Sequence, residues 1–142
     1  MSLEKREPIE LVRVIVDEVG EPRHDASPGS ALYSVPFQLS ATPSARWVGL
    51  FLKSWDLPPR FTSMHRPGIA RVIKDRIILN GTTIEEVERF HLDTLKLAVE
   101  EANKLDEEHE RRSRQQSSAL QQKRDQHKKH VAEVASRLNF KG

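Results

Sequence analysis

The chain has 142 residues, 37% hydrophobic and 31% charged, with 23 Lys and Arg against 21 Asp and Glu, a formal net charge of +2. That length fits one domain, and the near-balance of charge lacks the clustered basic excess usual in a nucleic-acid binder. With no cysteine, disulfide and thiolate chemistry are excluded; no run is long and apolar enough for a membrane span, and Met1 to Pro8 has no apolar core of a signal peptide, so a soluble cytoplasmic protein is expected.

Apolar residues recur closely from Ile9 to Leu105 and thin out from Asp106 onward. This pattern predicts a flexible N-terminus over 1–8, an α+β domain over 9–105, and a charged helix or partly disordered tail over 106–142. Ile9 to Val16 is β-branched and nearly continuously apolar, the pattern of a strand buried on much of both faces. Asp17 to Gly29, with its Gly, Pro and charges, predicts a loop. In Leu32 to Ser40 the residues Tyr33, Val35, Phe37 and Leu39 alternate with polar ones, as in a half-buried strand. Pro36 cannot donate to a ladder, which predicts a sheet edge or pairing on one side alone.

The period then changes. Thr42 as N-cap and Pro43 at the first helical position predict a helix from Pro43 to Trp55, with Trp47, Leu50, Phe51 and Trp55 at helical spacing. A strand over Trp47 to Leu52 is the rival. Phe61 to Met64 reads as a short strand, broken by His65-Arg66-Pro67-Gly68. Ile69 to Ile73 and Arg76 to Leu79 read as a hairpin about Lys74-Asp75, closed by Asn80-Gly81. Thr82 with Glu85, or Thr83 with Glu86, makes a capping box ahead of the strongest helix, Ile84 to Leu105. The resulting ββαββα order predicts an antiparallel sheet with helices on one face. No Gly or Pro interrupts Ala102 to Lys141, and Glu, Gln, Lys and Arg are good helix formers, so the C-terminal extension should be helical, frayed or broken near Ser117-Ser118. Val131, Val134 and Leu138 give it a short apolar seam.

Candidate sites are few. The loop His65-Arg66-Pro67-Gly68 sets an imidazole and a guanidinium beside a turn, near Phe61 and Trp55; Arg66 can grip a carboxylate or phosphate in bidentate fashion. An ordinary turn is the competing reading, as are core positions for Trp47 and Trp55. His91 falls near the middle of its helix's apolar arc. With Glu88 it has the Glu-x-x-His spacing of helical di-iron sites, but the second pair such sites need is missing. A buried histidine hydrogen-bonded to Thr94 or a strand carbonyl is the simpler expectation. His127-x-x-His130 lacks a third ligand. The sequence therefore predicts no metal and no cofactor.

No nucleophile elbow and no Gly-rich phosphate loop is present. The pattern favours a non-enzymatic protein-interaction module, its C-terminal helix mediating self-association or docking of a protein partner. Nucleic-acid binding through the sheet face or the basic tail is the first alternative. A small-molecule-binding or catalytic domain centred on His65 to Gly68 is the second.

Overall fold

A computed structural model describes residues 7–141. Its four strands, β1 (Leu11–Val14), β2 (Tyr33–Leu39), β3 (Ala70–Ile73) and β4 (Arg76–Thr82), form one antiparallel sheet in the order β1-β2-β4-β3. Helix α1 (Ala45–Asp56) follows β2. A single turn, α2 (Ile84–Glu86), follows β4, passes into a π-helical turn (Val87–His91) and continues as α3 (Leu92–Arg137). The fold is α+β in the expected ββαββα order.

The helices cover one face of the sheet. Val35, Phe37 and Leu39 of β2 and Ile77 and Leu79 of β4 form a core with Trp47, Phe51 and Trp55 of α1 and Leu95, Ala98, Val99 and Ala102 of α3. The period-two and helical spacings read from the sequence are the ones that put these side chains on common faces. Trp47 stacks on Phe51, one helical turn on, with centroids 5.4 Å apart and planes 2° from parallel. The chain divides after Asp106 into two compact units, Met1–Asp106 and Glu107–Gly142.

Several elements differ from expectation, each for a physical reason. β1 is short and lies at an edge, pairs among the described residues only with β2, and has Val12 56% exposed at the irregularity between Leu11 and Arg13. β2, in contrast, is interior and pairs on both sides despite Pro36. A strand residue's N and O point the same way, and the Pro36 carbonyl accepts from Ile15 N at 2.9 Å. The missing donor therefore falls on the β1 side, where that strand is ending, and spares the ladder to β4. Ser44, not Thr42, caps α1, accepting from Trp47 N at 3.2 Å. Phe61 to Met64 is not a strand: among the described residues no strand pairs with it, and Phe61 is 60% exposed. β4 runs on through Asn80-Gly81 to Thr82. Lys74 takes the positive φ (55°) that the hairpin turn requires. Ser117-Ser118 does not break the extension, and α3 is continuous to Arg137.

Candidate functional site

Two of the segments singled out in the sequence meet inside the first unit. Trp55, near the end of α1, is fully buried and forms a floor between two imidazoles, with centroids 4.7 Å from His65 and 5.6 Å from His91. Phe61 closes on His65 edge-on at 5.3 Å. Two backbone contacts fix the loop to the end of α1: Trp55 Nε1 donates to Arg66 O at 3.1 Å, and Gly68 N donates to Asp56 Oδ1 at 2.8 Å. Gly68 sits at φ +81°, where a side chain would be strained. Trp55 is thus core, not an exposed binding aromatic; Phe61 alone of the loop aromatics faces solvent.

The centre of the arrangement is Glu86. Arg66 grips it in bidentate fashion, Nε to Oε1 at 2.8 Å and Nη2 to Oε2 at 2.9 Å. Thr82 Oγ1 donates to Oε1 at 3.0 Å, and His91 Nε2 lies 3.4 Å from the same oxygen. The Glu86 backbone N–H is itself capped by Thr83 Oγ1 at 3.1 Å, and Tyr33 Oη accepts from Ile84 N at 2.8 Å. The capping box at Thr83 is therefore only half closed. Glu86 does not reach back to its cap but turns inward to Arg66.

The π-helical turn explains why His91 meets Glu86. Hydrogen bonds in such a turn run from i to i+5, so residues five apart come onto one face. Glu88, three residues before His91, is carried round to the exposed side instead. The Glu88–His91 pairing read from α-helical spacing does not form, and neither does a His91 bond to Thr94, whose hydroxyl donates to Phe90 O at 3.4 Å. Glu86 was visible in the sequence only as a capping residue. A spacing of five is not one that α-helical periodicity searches for.

The electrostatics are asymmetric. The Arg66 guanidinium holds Glu86 below the ordinary carboxylate value, and Glu86 raises Arg66 in turn. Burial of the ring holds His91 below the ordinary imidazole value, against the opposing pull of Glu86. A neutral His91 donating from Nε2 to Glu86 leaves Nδ1 as a lone pair. Among the described residues that atom is buried without a hydrogen-bond partner, as are both ring nitrogens of His65 and Thr62 Oγ1. Such orphaned groups mark a place where a water or ligand atom can be held. Among the described residues, no group of three or more His, Cys, Asp or Glu is placed to hold a metal ion, and no helix is long and apolar enough to cross a membrane.

A pH dependence follows. Because His91 is depressed in the folded state, the unfolded chain takes up a proton there first, and stability falls with acidification. The contribution is complete above the ordinary imidazole value of about 6.5 and is lost progressively below it, by at most about 1.4 kcal/mol per pH unit. Urea denaturation of the protein and of His91→Gln at intervals between pH 8 and pH 5 should show a steeper decline for the unsubstituted chain. Parallel declines would mean that His91 is not the group responsible.

A second feature of the same unit is a shallow groove of about 380 Å³ between β1 and the start of the helix, lined by Val14, Phe37, Ile84, Val87 and Leu92 with Glu85 and Glu88. Compared with known protein families, curated proteins and solved structures, the chain matches none.

Proposed function

We propose that this chain is a non-enzymatic protein-interaction module, with the first unit as its folded body and the C-terminal helix as the element that self-associates or docks on a partner. One observation carries the reading. Every residue from Arg111 to Glu133 is exposed, yet the helix runs unbroken to Arg137. Helices in proteins owe most of their stability to packing an apolar face, and an isolated charged helix is marginal in water. Leu120 and Val131 are each 50% exposed and Leu138 56%; a surface that covers them supplies the missing packing.

The polar cluster fits the same reading as a latch. Arg66, Thr82 and His91 Nε2 are turned on Glu86, and they hold the His65–Gly68 loop, the end of β4 and the start of the long helix in one arrangement. The test is light scattering after size exclusion on the full chain beside a version ending at Arg112, which keeps the whole buried core. The full chain should be larger than a monomer and the shortened one monomeric. Two monomers would remove self-association.

Nucleic-acid binding is the second reading, favoured by exposed Arg13 and Arg71 on the uncovered face of the sheet. Failure to bind single- or double-stranded probes at low salt would end it.

A further inference from the structure

We propose that the helix docks on a second copy of this chain: the apolar seam of Val131, Val134 and Leu138 seats in the other copy's groove beside Glu85 and Glu88. This rests on the interaction reading above and names both surfaces.

The first support is that the groove and the seam are complementary in kind. The groove presents Val14, Ile84, Val87 and Leu92, with Ile84 39% exposed, and two carboxylates at its margin. The seam presents Val131 and Val134 at i and i+3 on the last turns of the helix, with Leu138 immediately past its end at Arg137, an apolar helix terminus of the kind that can enter an apolar groove. At about 100° per residue, Arg124 and Lys128 flank that face on one side and Arg137 on the other. Cations therefore border the seam as carboxylates border the groove.

The second support is the distribution of charge along the chain. Glu107 to Gly142 holds nine Lys and Arg against five Asp and Glu, whereas Met1 to Asp106 holds fourteen against sixteen. The small overall net charge thus conceals two segments of opposite sign. Copies of the chain present each other with segments of opposite charge, which raises the rate of productive encounter and opposes wrong registers.

The third support is closure. If each copy gives its helix to the other's groove, the contact is made twice about a twofold axis and the assembly ends at a dimer. A one-way donation would leave one groove and one helix unused and would propagate.

Because the chain has no cysteine, single cysteines report the contact directly. Full-length Glu88→Cys and Val134→Cys proteins are mixed and mildly oxidised. The mixture should yield a disulfide-linked heterodimer well in excess of the homodimers of either variant alone. Independently, Glu85→Lys with Glu88→Lys should weaken the dimer about tenfold or more at low salt, and raising salt should weaken the unsubstituted dimer. Glu85 and Glu88 are exposed and Val134 is only partly buried, so folding is spared, and circular dichroism checks it.

If the full chain is a dimer and the version ending at Arg112 a monomer, but no heterodimer forms and the charge reversal is silent, this docking site is wrong while the interaction reading stands. A cross-link dominated by Glu88→Cys homodimers points to a different, groove-to-groove interface and also overturns it. A full chain that is monomeric at all concentrations removes self-association and this proposal together.

Discussion

Glu86→Ala should destabilise the protein by about 3 kcal/mol, a loss large enough to threaten a domain of ordinary stability. The carboxylate answers three groups at once: the Arg66 guanidinium, the Thr82 hydroxyl and His91 Nε2. Removing it strands Arg66 and His91, the latter fully buried, and leaves the buried Thr82 hydroxyl only the longer contact to Thr83 O at 3.4 Å. Arg66 retains access to water, with 31% of its side chain exposed, which keeps the cost below that of stranding a fully buried cation. Arg66→Ala should cost less, since the remaining carboxylate still accepts from Thr82 and can take up a proton. It should also move the acid transition of His91 upward, because Arg66 is one of the charges that oppose an imidazolium there. Urea denaturation of the two single variants and the double variant measures the coupling. Additive losses would mean that the pair does not act as a unit.

The second large effect is expected at Asn103. Its side chain bonds both backbone groups of Ile9, accepting from N at 3.0 Å and donating to O at 2.8 Å, and its Oδ1 also accepts from Trp47 Nε1 at 2.8 Å. One amide in α3 thus ties the approach to β1 and one of the two buried tryptophans of α1 to the same point. Asn103→Ala leaves the indole N–H buried and unpaired, while Ile9, only half-buried, can turn to water. A loss of about 2–4 kcal/mol is expected. Hydrogen exchange should quicken first in β1, which as an edge strand has no second neighbour to hold it. In a Trp47→Phe background the same substitution should cost less, because the shared bond is already gone. Equal cost in both backgrounds would show that the indole contact contributes nothing.

Sequence patterning read this protein well where one local rule acted alone. Thr83 capping Glu86, the alternation of β2 and the aromatic spacing of α1 each depend on neighbours within a few residues, and each produced the element it implied. Patterning failed where distant partners decided the outcome. Ile9 to Val16 looks doubly buried, but its apolar residues face a helix layer on one side and solvent on the other. Pro36 forbids one hydrogen bond, and whether that matters depends on where β1 ends. At the site, the His65-Arg66 loop and His91 were separately visible; what joins them was not. The link is Glu86, brought to His91 by a turn of unusual pitch, and nothing in local propensity announces such a turn. Asn103 was equally silent, since an Asn inside a helix carries no signal that its partner lies 94 residues away.

The two outer strands have a consequence for how this protein can fail. β1 and β3 are four residues long, β1 carries an irregularity between Leu11 and Arg13, and each strand carries an arginine, Arg13 or Arg71. A short, interrupted, charged margin offers an incoming chain too few consecutive backbone groups to extend the ladder. Fibrillar growth through the sheet margin is thereby disfavoured even at high concentration. Replacing Arg13 and Arg71 with valine removes that guard without touching the core.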